Sequence, residues 1–236
     1  MRQIEVCFSP ELIHLHELQG KIVVVVDIFR ATTTMITALA NGIEEIKTFA
    51  DKDSCRQMQS QGYLVAGERN GQTIEGFDLG NSPVAFLKKD YSGNKLAMTT
   101  TNGTLAISKS QEADEILVGS FPNISATINY IQQHDKDVLI HCAGWKGKFN
   151  LEDSLYAGAL VKSLESTHLS EDDGAMAMKS LFEKEGHQMK QFLSQASHAK
   201  RLQNHGIEHD IDICLTLDLF DIVGKVEDEV VRAIAI

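Results

Sequence analysis

The chain has 236 residues, with 22 Lys and Arg against 33 Asp and Glu and a formal net charge of −11. Hydrophobic content of 43% and charged content of 23% are globular values in a chain long enough for a sizeable core. The acid excess excludes nucleic acid and anionic membrane surfaces as main partners, because both reward clustered cations; a small anionic substrate in a pocket with its own field stays open.

The opening stretch MRQIEVCFSPEL lacks the continuous apolar segment of a signal peptide. The longest apolar runs fall far short of the roughly 18 residues that a membrane span needs. Cys7, Cys55, Cys142 and Cys214 are scattered with no CxxC, so reduced thiols and a cytoplasmic location are expected. Residues 21–27, KIVVVVD, form a β-branched run without alternation, the pattern of a strand buried on both faces. Thr32, Thr33 and Thr34 then open a helix that Asn41-Gly42 closes, and residues 45–50 resume as a strand. Residues 65–83 form an insertion in which Asn70-Gly71 invites a hairpin turn and Ser82-Pro83 starts a helix.

A second strand–loop–helix–strand unit runs from Lys95 through TTTNGT to Glu115, and a third from residues 137–142 through a Gly-rich loop to a helix over 151–165. After Ser170 the pattern is helical to about Asn204, followed by two short strands, IDICL and VVRAIAI. Strands alternating with helices predict a three-layer α/β/α sandwich with a mainly parallel, mixed sheet. No linker or composition shift divides the chain, so residues 1–236 read as a single domain, with a homodimer as the default assembly.

In open α/β sheets ligands bind outside the carboxyl ends of the strands, which selects four loops. Asp27 ends the most apolar strand, where a carboxylate needs a cation, a metal or N–H donors; helix cap, metal ligand and nucleophile all satisfy that need. Arg30 offers a guanidinium fork to an anion, or to Asp27 itself. Thr100, Thr101, Asn102 and Gly103 place hydroxyls and backbone N–H groups at a helix start, suited to an oxyanion or to an ordinary cap. Asn150 with Asp153 reads as a capping pair, with Mg²⁺ coordination by Glu152 and Asp153 as the rival.

Other signatures fail. Gly71-x₄-Gly76 lacks the Lys-Ser/Thr of a Walker loop, and no GxGxxG follows a strand. The second Asp of aspartyl-phosphate hydrolases falls at Phe29, and Cys142 has Lys148 where a Cys-x₅-Arg loop needs Arg. His205 and His209 beside Asp210 and Asp212 mimic a metal set, but Gly206 interrupts the helix that would align them. Trp145 reads as packing or surface.

Taken together, VVDIFRATTT, EGFDLGNSP, TTTNGT, GSFPN, CAGWKGKFNLED and SHAKRL…HDIDIC resemble the 2-phosphosulfolactate phosphatase family over about residues 23–214. The resemblance implies a cytoplasmic α/β/α hydrolase that uses Mg²⁺ to remove phosphate from 2-phospho-3-sulfolactate, yielding 3-sulfolactate, a step of coenzyme M biosynthesis. It puts Asp27, Arg30 and Cys142 in catalytic roles. Arg30, Ser82, Thr100, Thr101, Asn102, Gly103 and Lys148 would hold the substrate's anionic groups, and Asp27, Glu152 and Asp153 the metal. Thr32, Thr33, Thr34, Glu68, Asp78, Asn81, Gly144, Ser197, His198 and Asp212 complete the motif positions. Lys148 departs from the expected Arg, keeping the charge without the bidentate fork. Two other readings remain: a phosphatase of other 2-phospho-hydroxy acids, and a non-catalytic sensor of a phosphorylated or sulfonated metabolite.

Overall fold

A computed structural model describes residues 1–69, 71–203 and 208–234. In chain order the strands are β1 (Arg2–Cys7), β2 (Lys21–Val26), β3 (Glu45–Thr48), β4 (Leu64–Arg69), β5 (Gln72–Thr73), β6 (Lys95–Thr99), β7 (Glu115–Gly119), β8 (Asp137–Cys142), β9 (His168–Leu169), β10 (Val223–Glu227) and β11 (Val230–Ile234). Among the described residues these form one sheet in the order β5-β4-β6-β3-β11-β10-β7-β2-β8-β1-β9.

Two parallel blocks make up most of it. β7, β2, β8, β1 and β9 run parallel to one another, as do β3, β6 and β4. The β10–β11 hairpin lies antiparallel between β7 and β3 and joins the blocks. Its two-residue loop, Asp228-Glu229, has φ of 50° and 63°, the type I′ geometry whose twist matches the flanking strands.

β2 shows why the sheet needs cover on both sides. Ile22, Val24 and Val26 pack into one apolar cluster, and Val23 and Val25 into another on the opposite face. All five are fully buried, and each contributes on the order of 1.5–3 kcal/mol of transfer free energy. Helices Ile124–Gln132 and Leu151–Leu164 supply residues to the first cluster, and helices Ala31–Ala40 and Gly103–Lys109 to the second. The chain is therefore the expected three-layer α/β/α sandwich with a mainly parallel, mixed sheet.

One expectation needs correction. IDICL is not a strand: it lies mostly in the helix Glu208–Cys214, in which Asp210, Ile211 and Cys214 are buried and Asp212 is exposed. The strand that precedes β11 is instead β10, from Val223. No helix among the described residues is long and apolar enough to cross a membrane.

Candidate active site

The carboxyl ends of β2, β4, β6 and β8 open into a cavity of about 350 Å³. Asp27, Phe29 and Arg30 come from the loop after β2, Glu68 from β4, Thr100, Thr101 and Asn102 from the loop after β6, and Trp145 and Lys146 from the loop after β8. Helix Ser197–Gln203 closes the space with His198, Arg201 and Leu202.

Asp27 is buried, and its Oδ1 accepts the N–H of Ala31 at 3.3 Å. Thr32 fastens the turn by donating its hydroxyl to the Asp27 carbonyl and accepting the Asp27 N–H, each at 3.0 Å. Thr33 donates to the Ile28 carbonyl. The first Thr triplet is fully buried, so it shapes the loop and does not face the cavity. Burial pushes the Asp27 acid up to about 6, against the pull of nearby His198.

Arg30 is closed off from solvent and donates through Nη1 to Asp210, whose other oxygen accepts the Ser82 hydroxyl at 2.6 Å. Ser82 therefore acts on Arg30 through Asp210, and is not among the lining residues. The acid that meets Arg30 is Asp210; Asp212, the motif position, is exposed and pairs with Lys190 at 2.5 Å.

On the β6 side, Glu68 accepts N–H bonds from Gly71 and Thr101 and the Thr101 hydroxyl at 2.9 Å. Thr100 accepts the Thr104 N–H, and Asn102 accepts the Lys146 N–H at 3.2 Å. Asn81 lines the cavity with its buried Oδ1 unpartnered among the described residues. Gly103 lies behind this wall. A Cβ there would meet Ala31 Cβ at 2.6 Å and Asp27 Oδ2 at 2.9 Å.

The four residues from Trp145 to Lys148 form a tight turn, with Trp145 and Lys148 exchanging both backbone bonds and with φ of 49° at Lys146 and 75° at Gly147. This type I′ geometry carries Lys146 over the cavity and leaves Lys148 exposed outside it. The lysine that lines the site is thus two residues earlier than the expected one.

The two acids after Asn150 separate. Asp153 Oδ1 accepts the Ile28 N–H at 2.8 Å; Oδ2 accepts the Gly144 N–H at 3.1 Å and the Asn150 amide at 2.9 Å. It ties the loops after β2 and β8 to the start of helix Leu151–Leu164, and both oxygens are taken. Its burial, with Asp27 and Glu152 close by, pushes its acid well up, against those N–H donors. Glu152 differs. Its Oε1 lies 2.6 Å from His198 Nδ1, and its buried Oε2 has no partner among the described residues. Cys142 is fully buried in the apolar cluster, and burial pushes its thiol well up, so it is a packing residue and not a nucleophile facing the cavity.

Among the described residues no three His, Cys, Asp or Glu side chains gather as a metal set; His209 is exposed and His205 lies outside the described residues. A Mg²⁺ ion typically keeps waters and takes only one or two carboxylates beside a substrate phosphate. Asp27, its acid raised by burial, and the orphaned Oε2 of Glu152 fit that donor set; Asp153 does not. His198, Lys146, Arg201 and Trp145 are the site residues that loop spacing alone did not select. The motif SHAKRL and the glycines around Trp145 are the signals that could have found them.

The family model described as 2-phosphosulpholactate phosphatase matches residues 7–229. A "Probable 2-phosphosulfolactate phosphatase" of Caldanaerobacter subterraneus subsp. tengcongensis is 39% identical over 221 residues, covering 92% of each chain. One of Thermotoga maritima with the same description is 42% identical over 200 residues, covering 85% of this chain and 86% of the relative.

Proposed function

Since the chain belongs to the 2-phosphosulfolactate phosphatase family, a family of phosphoric monoester hydrolases, we propose that it hydrolyses 2-phospho-3-sulfolactate to 3-sulfolactate and phosphate. The observation that carries this reading is the composition of the cavity. One open cavity holds a buried carboxylate, Asp27, together with Arg30, Lys146, Arg201 and His198, which suits a substrate of several negative charges. Magnesium held by Asp27 and Glu152 would neutralise the phosphoryl oxygens when bound.

The remaining work falls to side chains of the chain itself. Arg30, fixed by Asp210 and Ser82, binds the phosphoryl group, where a guanidinium fork matches two oxygens. Thr100, Thr101 and Asn102 line the face next to Asp27 and orient the ester. His198 donates Nδ1–H to Glu152, and the carboxylate supports an imidazolium, the form in which Nε2 also carries a proton. As water attacks phosphorus and the ester P–O bond breaks, the Nε2 proton passes to the leaving C2 oxygen, the phosphate keeps the water's protons, and the neutral ring regains its proton from the phosphate or solvent. Phe29 and Trp145 wall the site against excess water.

The test is phosphate release from 2-phosphosulfolactate with Mg²⁺ and with EDTA. Release that needs the metal supports the reading. Binding of the ester without release from it, or from any other 2-phospho-hydroxy acid, would favour a sensor.

A further inference from the structure

Arg201 is the guanidinium that the hydrolysis above does not use. Its Nε and Nη2 are buried and have no partner among the described residues. Its guanidinium carbon lies 4.4 Å from the centre of the Trp145 ring, so cation–π contact fixes the group while its N–H edge stays unengaged. Buried guanidinium N–H groups without an acceptor carry a desolvation cost that a bound anion offsets. Arg30 already has an anion in Asp210; among the described residues Arg201 has none. Lys146 sits over the same indole, its Nζ 5.5 Å from the ring centre, and adds a second cation to that wall.

We propose that Arg201, seated on Trp145 and supported by Lys146, is the specificity determinant for the sulfonate of the substrate. This rests on the phosphatase reading and goes beyond it by assigning the substrate's second anionic end to one wall. The phosphoryl group lies with Asp27, Arg30 and His198. The carboxylate meets the hydroxyl-rich face of Thr100, Thr101 and Asn102, because concentrated charge keeps a polar environment. The sulfonate spreads one charge over three oxygens and is the group that a weakly hydrated guanidinium stacked on Trp145 suits.

The experiment compares kcat/KM for 2-phosphosulfolactate and for 2-phospholactate, which keeps the carboxylate and lacks only the sulfonate. In wild type and Arg201→Gln, the ratio of the two should fall on the order of 10²-fold in the variant, the loss expected for a desolvated charge pair. Arg201→Lys should recover part of it, since charge returns without the fork. A ratio unchanged in Arg201→Gln overturns the assignment even if both activities drop. Competition by the products, measured in parallel, covers a poorly folded variant: 3-sulfolactate should inhibit the wild type more strongly than lactate, and equal inhibition overturns the assignment. Wild type that hydrolyses neither ester overturns the phosphatase reading itself, and the sulfonate assignment with it.

Discussion

His198 Nδ1 lies 2.6 Å from Glu152 Oε1, and both side chains are closed off from solvent. The pair crosses from helix Ser197–Gln203 to helix Leu151–Leu164, so the carboxylate fixes both the ring's orientation and its tautomer. If His198 passes a proton from Nε2 to the leaving oxygen, His198→Asn should lose about 10²–10⁴-fold in kcat, and Glu152→Gln should lose less. The defect of His198→Asn should shrink for a phosphoester whose leaving group departs without a proton. Steady-state kinetics on leaving groups of graded pKa check this; an equal loss on every ester contradicts the proton-transfer role.

The burial that raises the Asp27 acid to about 6 has two consequences. An acid raised on folding holds its proton longer in the native state than in the unfolded one. Native stability without metal should therefore decline between about pH 4 and pH 6, as the unfolded state ionises first, and stay level above that. Asp27→Asn should abolish activity and raise metal-free stability above pH 6, on the order of 2 kcal/mol. Urea titrations across this range would show the slope in the wild type and its absence in the variant. The acid limb of kcat/KM should lie near or below 6 and move lower with saturating Mg²⁺.

Asp153 is an anchor. Replacing it with Ala leaves the buried N–H groups of Ile28 and Gly144 without acceptors, a loss of roughly 2–6 kcal/mol at about 1–3 kcal/mol per group. Thermal unfolding of Asp153→Ala should show this loss. A ligand role predicts something else: nearly native stability with a much higher Mg²⁺ requirement.

The buried strands were legible because β-branched runs need no partner to declare themselves: β8 spans residues 137–142 as read, and β2 stops at Val26, one residue short. The rule that sites lie at carboxyl strand ends led to Asp27, Arg30 and the Thr100–Asn102 loop, all of which line the cavity. What loop position could not reveal was side-chain direction. Lys146 and Lys148 differ by two residues, and only the turn geometry places one over the cavity. IDICL alternates over five residues and so passes for a strand, yet the buried positions 210, 211 and 214 of the segment around it follow a helix. The β10–β11 hairpin turns on Asp228-Glu229, which carries none of the Asn-Gly signal of such turns.

Cys142 tests the difference between a motif position and a reacting group. Its side chain is fully buried, and its thiol is held protonated by burial. Cys142→Ala should keep kcat/KM within about threefold and lose about 1 kcal/mol of stability, as expected for a small packing side chain. The native protein should resist alkylation at this position, measured by intact mass after iodoacetamide. Rapid inactivation traced to Cys142 would return it to the chemistry.

Gly103 joins the anion loop to Asp27 by contact distance alone. A methyl group at 103 would stand 2.6 Å from Ala31 Cβ and 2.9 Å from Asp27 Oδ2, closer than carbon and oxygen tolerate. Ala31 follows the Asp27 turn directly and donates its N–H to the Asp27 carboxylate, so relief of the clash moves that carboxylate. A displacement near 1 Å at a reacting group can cost about 10²-fold in rate, whereas a small overpacking costs about 1–3 kcal/mol of stability. Gly103→Ala should therefore lose far more kcat than KM, with a fold that still unfolds cooperatively. Native kcat in a variant destabilised by that amount would mean that the clash is absorbed on the Ala31 side and that Asp27 stays in place.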